Sequence, residues 1–143
     1  MRRALWAGLG VLAVFLIWGE ARADKVTFKA DLSGANLVPP VTTAGKGAAT
    51  AVLDTTTKTL TWTVDYSGLS GPVTGAHIHG PAASGANAGI VIPFTGDLAS
   101  PIKGSATLTD AQIADLEAGK YYVNLHSAAN KSGEIRGQLI RVL

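Results

Sequence analysis

The sequence predicts an all-β domain: an antiparallel Greek-key β-sandwich or barrel of about eight strands, with one short helix near residues 110–118. Three observations lead to this prediction. Short runs alternate between apolar and polar residues, which is the period-two pattern of half-buried strands. Polar or glycine-containing turns separate these runs at short intervals. Only one segment carries the start and stop signals of a helix.

The strand predictions rest on this alternation. In the first run, Val26, Phe28 and Leu32 share one face, and the intervening polar residues point the other way. The predicted strands cover residues 25–32, 47–53, 59–66, 73–80, 89–94, 102–108, 120–126 and 134–142. The run at 89–94 is mostly apolar, which indicates a buried strand. Residues 37–41 contain two prolines, which donate no ladder hydrogen bond, so they are predicted to form an edge or a loop.

The helix prediction comes from a capping box. Thr109 is an N-cap residue, and Gln112 follows three residues later, as the box requires. Ile113 and Leu116 lie on one side of the helix and supply an apolar face. Gly119 is a suitable C-terminal stop. The sequence therefore predicts a helix of roughly two turns.

The N-terminal residues 1–23 have the three parts of a secretory signal peptide. Arg2 and Arg3 form the positive region, residues 4–18 are apolar, and Ala-Arg-Ala at 21–23 is a small-x-small cleavage site. The apolar stretch is shorter than the roughly 20 residues of a membrane span. We therefore expect an exported protein, periplasmic or extracellular, whose mature part is a single domain.

Removal of the leader changes the charge balance. The whole chain has 12 basic and 10 acidic residues, and residues 24–143 keep 12 − 3 = 9 basic and 10 − 1 = 9 acidic ones. A formal charge of zero gives no basic patch for a phosphate backbone, so nucleic acid is not an expected partner. The chain has no cysteine, which excludes thiol catalysis and disulfides. No later segment resembles a transmembrane segment.

The three histidines of the chain are the principal candidates for a site. His77 and His79 point to one face of their predicted strand because the side-chain period is two. His126 shares the polar face of its own strand with Tyr122 and Asn124. Three neutral imidazoles suit copper or zinc if the two strands are neighbours. The alternative is a structural role, in which each imidazole hydrogen-bonds a nearby loop and binds no ion.

A second polar pair lies in the last predicted strand. Glu134 and Arg136 share a face and are expected to pair with each other or with the histidines. Catalysis by Glu134 would need a positioned partner, and the sequence places no second carboxylate there. The chain also lacks a Gly-x-Ser-x-Gly elbow and a phosphate-binding glycine loop. These absences indicate that the protein is not an enzyme. Tyr122 is the best aromatic candidate for a binding site.

Four segments together resemble the chordin-type domain family, CHRD. They are Ser-Gly-Ala-Asn-Leu-Val-Pro-Pro-Val at 33–41, Ala-His-Ile-His-Gly-Pro at 76–81, Tyr-Val-Asn-Leu-His-Ser at 122–127 and Gly-Glu-Ile-Arg-Gly-Gln-Leu at 133–139. The resemblance runs from about residue 26 to 139. It implies a β-sandwich or β-barrel and brings no catalytic activity with it. A lone domain behind a signal peptide resembles the exported bacterial form, to which the growth-factor binding of chordin is not carried over.

Three hypotheses about function follow. The first is a non-enzymatic binding or structural module for an unidentified protein or small ligand. The second is a copper- or zinc-binding protein that uses His77, His79 and His126. The third is a superoxide-dismutase-like enzyme, because His-x-His with a distant histidine is similar to the copper ligands of copper–zinc superoxide dismutase. That enzyme's bridging histidine, zinc loop and disulfide have no counterpart in this sequence.

Overall fold

The structure, a computed structural model, describes residues 10–15 and 24–143. Apart from 10–15, the predicted signal peptide at 1–23 lies outside the described residues. No helix in the described ranges combines the length and hydropathy of a membrane span. The domain described below comprises residues 24–143.

Strands dominate the described chain. They are β1 (Lys25–Ser33), β2 (Lys46–Asp54), β3 (Thr59–Ser67), β4 (Val73–His79), β5 (Ile90–Pro93), β6 (Ile102–Thr107), β7 (Tyr122–Ser127), β8 (Ile135–Gln138) and β9 (Ile140–Arg141). The helix α1 covers Asp110–Glu117, and a single 3-10 turn covers Gly34–Asn36. Every predicted strand forms, although the last one is divided between β8 and β9.

All strand pairs are antiparallel and belong to one sheet with the order β5-β4-β7-β8-β1-β2-β3-β6, in which β9 also pairs with β1. The sheet curls until its two ends face each other. Trp62 of β3 stacks on Phe94, the residue after β5, with ring centroids 4.7 Å apart. The result is a nearly closed barrel, which confirms the predicted all-β antiparallel fold.

The barrel interior is filled by the apolar face of each strand. Its fully or almost fully buried members are Phe28, Ala30, Leu32, Ala49, Ala51, Leu53, Leu60, Trp62, Val64, Ala76, Ile78, Ile102, Val123, Leu125 and Ile135. The alternation of apolar and polar residues in the sequence therefore predicts which face of each strand points into the barrel. Gly104 makes room for the largest of these side chains, because a Cβ at that position would lie 2.6 Å from Cζ2 of Trp62.

The helix α1 forms as predicted. Gln112 N–H donates to Thr109 Oγ1 at 3.2 Å, and Thr109 N–H donates to Gln112 Oε1 at 2.9 Å, which completes the capping box. Leu116 is fully buried against the barrel. Gly119 ends the helix with φ at +72°, a conformation that glycine adopts without strain.

Two predictions about strands need correction. The run 134–142 is interrupted at Leu139, whose N–H leaves the ladder and donates to the carbonyl of Tyr121. The residues beyond it then pair with β1 as β9. The fifth strand is not buried as a whole: Ile92 lies in the core, but Ile90 is 54% exposed. The reason is a register shift between Ile78 and His79, which pairs Ile92 with inward-facing Ile78 but Ile90 with outward-facing His79.

Candidate metal centre

Three neighbouring strands, β4, β7 and β8, carry polar side chains on the outer face of the barrel. Across this face, His77 is opposite Asn124, and Asn124 is opposite Arg136. His79 is opposite Tyr122 in the same way. These side chains are not at an ordinary solvated surface, because Tyr122 and Arg136 are only 2% exposed. Loops cover this part of the sheet, and a buried polar face of this kind requires specific partners.

Two backbone carbonyls orient two of the histidines. His79 Nδ1 lies 3.0 Å from the carbonyl oxygen of Ala88. His126 Nδ1 lies 2.8 Å from the carbonyl oxygen of Lys131. Because a carbonyl oxygen only accepts, each Nδ1 carries a proton, and in a neutral ring the acceptor nitrogen is then Nε2. A metal-ligating histidine is typically held in this manner, by a hydrogen bond from its other ring nitrogen.

The remaining ring nitrogens converge. His77 Nδ1, His79 Nε2 and His126 Nε2 are buried and have no hydrogen-bond partner among the described residues. One ring nitrogen from each of the three histidines lies within 4.8 Å of the others. The His77 ring stands edge-on to those of His79 and His126, at interplanar angles of 87° and 71°. The rings therefore surround a common point and do not stack on one another.

This spacing is close to that required by a single ion. Metal–nitrogen bonds of about 2.0–2.1 Å place tetrahedral ligand nitrogens about 3.4 Å apart. The imidazoles would have to approach one another by at most about 1.4 Å, which rotation of the side chains can supply. Leaving buried acceptors unpaired costs roughly 1–3 kcal/mol each, so their convergence needs an explanation. A shared cation is the simplest group that satisfies all three.

Burial and neighbouring groups keep two of the three histidines, His77 and His79, neutral. Burial lowers the pKa of His77, and the neighbouring His126 and His79 lower it further. Burial also lowers the pKa of His79, partly opposed by the hydrogen bond to Ala88, and the neighbouring His126 and Arg136 add to the lowering. At neutral pH these two imidazoles are therefore unprotonated, which is the form that binds a metal.

Tyr122 links this cluster to the loop that covers it. Its ring is parallel to the His79 ring, with centroids 5.1 Å apart and an angle of 6°. Its hydroxyl donates to the carbonyl of Ala88 at 3.1 Å and accepts from the N–H of Ala88 at 3.0 Å. The same carbonyl accepts the hydrogen bond from His79 Nδ1. Tyr122 therefore holds Ala88 in place, and Ala88 in turn orients His79.

Arg136 completes the support from the other side of Tyr122. Its Cζ atom lies 3.5 Å from the centroid of the Tyr122 ring, a cation–π contact. Its guanidinium donates to Asn87 Oδ1 at 2.9 Å and to the carbonyl of Ala86 at 2.7 Å. Arg136 therefore ties the loop of residues 80–89 to the sheet. It has no carboxylate partner in the described chain, where the ion pair found is Lys58–Asp110.

Glu134 faces a different set of partners. The side chain is fully buried, and its carboxylate accepts hydrogen bonds from the hydroxyls of Thr43 and Ser127, both at 2.6 Å. It also accepts from the N–H of Ser70 at 2.9 Å and from Asn130 Nδ2 at 3.2 Å. Burial alone would raise its pKa, but these hydrogen bonds outweigh it and lower the pKa to about 2.

The expected pairing of Glu134 with Arg136 or with the histidines is therefore wrong. Although the two residues share a face, their side chains have different partners. The carboxylate accepts from Thr43, Ser70, Ser127 and Asn130, whereas the guanidinium donates to the loop of residues 80–89. A carboxylate with this many donors and this low a pKa does not act as an acid or base at neutral pH. The observation agrees with the absence of a second carboxylate in the sequence.

A cavity of about 480 Å³ adjoins the histidines. His79, His126, Tyr122 and Asn124 contribute to one side of it. Apolar residues of the proline-containing loop at 37–41 also line it. The sequence indicated this loop only as a family motif, and no chemical signal in it pointed to the histidines. Hydrogen bonds from the imidazoles to nearby loops were expected from the sequence, and the carbonyls of Ala88 and Lys131 accept them. Which carbonyls accept is decided by the loop conformations, because a backbone carbonyl leaves no mark in the sequence.

Comparison with known proteins gives one match. The CHRD domain family matches residues 28–139 of the chain. No curated protein and no solved structure matches it. The matched region contains most of β1, all of β2 to β8, and all three histidines. Because the match covers most of the chain, the protein belongs to the CHRD domain family.

Proposed function

We propose that this protein is an exported, non-enzymatic CHRD domain that binds one copper or zinc ion through His77, His79 and His126. The CHRD domain indicates a non-enzymatic module. Export is proposed from the signal-peptide pattern in the first 23 residues. The observation that carries the metal proposal is that one ring nitrogen from each of the three histidines lies within 4.8 Å of the others, while each ring has a buried nitrogen without a partner.

The arrangement favours a metal site over a purely structural network. A structural histidine uses both ring nitrogens in hydrogen bonds when it is buried. Here, His79 and His126 each use one nitrogen on a carbonyl, while the other remains buried and unpaired. The unpaired atoms belong to the same cluster as the third histidine. A network that served only the fold would not require three acceptors to face one another.

The donor set also selects the class of ion. Three neutral imidazoles are suited to zinc and copper, whereas calcium and magnesium prefer oxygen ligands. Binding requires unprotonated imidazoles, and the pKa values of His77 and His79 lie below the ordinary 6.5, so affinity is expected to fall as the pH drops below about 6.5. With Glu134 engaged in hydrogen bonds, the centre has no general base at hand. Holding an ion, rather than reacting through it, is the function that these residues support.

The experiment is a titration of the purified protein with Zn(II), Cu(II) and Cu(I) in competition with a chromophoric chelator. One ion should bind per chain, and the His77→Ala/His79→Ala variant should lose at least about 100-fold in affinity. Saturating metal at 100 times Kd should stabilise the fold by about 2.7 kcal/mol. Ser132→Ala is the matched control, because Ser132 lines the same cavity but offers no imidazole.

These outcomes separate the two interpretations of the cluster. The chain has only three histidines, so imidazole coordination cannot come from another site. Absence of binding to the unmodified protein refutes the proposal and supports a structural role. Equal binding by the unmodified protein and the double variant also refutes it, since the ion then lies elsewhere. His126→Ala, which is distant in sequence, tests the third ligand separately.

A further inference from the structure

The histidine cluster offers an ion no negatively charged ligand. Among the described residues, the group of potential ligands consists of the three imidazoles, and no Asp or Glu belongs to it. None of the described residues that line the adjoining cavity is acidic either. Besides burial, the groups that shift the pKa of His77 and His79 are imidazoles, the backbone of Ala88 and Arg136. Neutral ligands offset none of the charge of an ion, so a bound ion keeps its full charge.

Arg136 places a buried positive charge close to this cluster. The residue is only 2% exposed and has no carboxylate partner in the described chain. Its Cζ atom lies 3.5 Å from the centroid of the Tyr122 ring, which is 5.1 Å from the centroid of the His79 ring. The guanidinium is therefore within about 9 Å of that imidazole. Salt screens a buried charge much less than an exposed one, so the guanidinium repels an ion bound by His79.

The strength of this repulsion depends on the charge of the ion. For a guanidinium about 10–12 Å from the ion and an effective dielectric constant of about 20, each unit of charge on the ion lowers its affinity roughly tenfold. A divalent ion is penalised by this factor twice, and a monovalent ion only once. The lack of an anionic ligand acts in the same direction, because it leaves the larger charge less compensated. Among the ions that imidazoles bind, Cu(I) is the monovalent one.

We infer that the centre selects Cu(I) over Cu(II) and Zn(II), and that the charge of Arg136 contributes to this selection. The inference rests on the proposed metal-binding function. Three neutral nitrogen donors are sufficient for Cu(I), whereas a divalent ion takes further ligands, such as water or an anion. Arg136 is not a ligand, because the ring of Tyr122 lies between its guanidinium and His79. It acts on the ion only through the electric field of its charge.

The affinities for the three ions test this selection. The purified protein is titrated with Cu(I) under nitrogen in competition with bicinchoninate, and with Cu(II) and Zn(II) in competition with chelators of known affinity. The buffer contains no coordinating anion. Cu(I) should bind the unmodified protein at least about tenfold tighter than either divalent ion. Arg136→Gln removes the charge and should raise the affinity for Cu(II), relative to that for Cu(I), roughly tenfold. Arg136→Lys is the matched control, because it keeps the charge and should leave this ratio unchanged.

The ratio of the two affinities separates the charge of Arg136 from its structural role. Both substitutions disturb the hydrogen bonds to Ala86 and Asn87, which weakens the binding of every ion by a common factor that cancels in the ratio. Zn(II) has the same charge as Cu(II), so the two affinities should shift together. Ser132, which lines the cavity, provides a test that leaves Arg136 in place. Ser132→Asp should favour the divalent ions over Cu(I) by roughly threefold relative to Ser132→Asn.

The outcomes distinguish this inference from the metal proposal. If none of the three ions binds, the metal proposal fails, and the inference fails with it. If Cu(II) or Zn(II) binds as tightly as Cu(I), the selection is refuted and the metal site stands. An unchanged ratio in Arg136→Gln, an equal change in Arg136→Lys, or a shift of Cu(II) without Zn(II) refutes the role given to the guanidinium. Should the Arg136 variants fail to fold, equal ratios in Ser132→Asp and Ser132→Asn refute the dependence on charge.

Discussion

Replacement of Glu134 by glutamine should remove a large part of the stability of this domain at neutral pH. The carboxylate is fully buried and receives hydrogen bonds from Thr43, Ser70, Ser127 and Asn130. Its pKa falls from 4.5 to about 2 on folding. At about 1.4 kcal/mol per pKa unit, the ionised form contributes roughly 3 kcal/mol. Glutamine keeps the shape, but it replaces one acceptor oxygen by an NH₂ group that faces donors.

The pH dependence identifies this contribution. Because the folded pKa is below the unfolded one, the stabilisation is complete above about pH 4.5 and is lost as the pH falls toward 2. Urea unfolding followed by circular dichroism at pH 7, 5, 4 and 3 should show this loss in the unmodified protein. The Glu134→Gln variant should be about 3 kcal/mol less stable at pH 7, with a flatter profile below pH 5.

Glu117→Gln is the control for this experiment, because Glu117 is an exposed carboxylate on α1. It should change the free energy of unfolding by no more than about 0.5 kcal/mol. The reasoning is refuted if Glu134→Gln is as stable as the unmodified protein at pH 7. It is also refuted if the variant keeps the full acid sensitivity, since other carboxylates would then be responsible.

Three further predictions concern the cluster and the helix. Because burial lowers the pKa of His77 and His79, these residues take up protons at a higher pH in the unfolded chain than in the folded protein. The melting temperature of the metal-free protein should therefore fall as the pH drops below about 6.5. A melting temperature that does not change with pH in this range would contradict the prediction. Tyr122→Phe removes the hydroxyl that holds Ala88 and should weaken Zn(II) binding by about tenfold in a chelator competition, whereas unchanged affinity would show that Ala88 is held by other contacts. Thr109→Ala removes the N-cap of α1 and should cost about 1 kcal/mol in urea unfolding, most of which Thr109→Ser should restore; equal losses in both variants would contradict a capping role.

Local patterns in the sequence were sufficient for the elements of the fold. The alternation in residues 25–32 and the capping box at Thr109 concern neighbours in the chain, where geometry fixes which side chains share a face. The position of an element in the sheet is not local. The exposure of Ile90 depends on a register shift between β4 and β5, and the division of the last strand at Leu139 depends on β9 pairing with β1. Neither can be read from the residues concerned.

The candidate site likewise depends partly on local sequence patterns and partly on the arrangement of strands in the sheet. Period two alone placed His77 and His79 on one face, and His126 on the polar face of its own strand. That β4 and β7 are neighbours, and that the three rings therefore meet, is decided by the order of strands in the sheet. Thr43 and Ser70, which bind the Glu134 carboxylate, and the apolar residues 37–41 of the cavity come from loops distant in sequence. The sequence by itself determined which side chains face outward, because strand geometry is local; the tertiary structure decided which of them converge, because convergence depends on how distant segments pack.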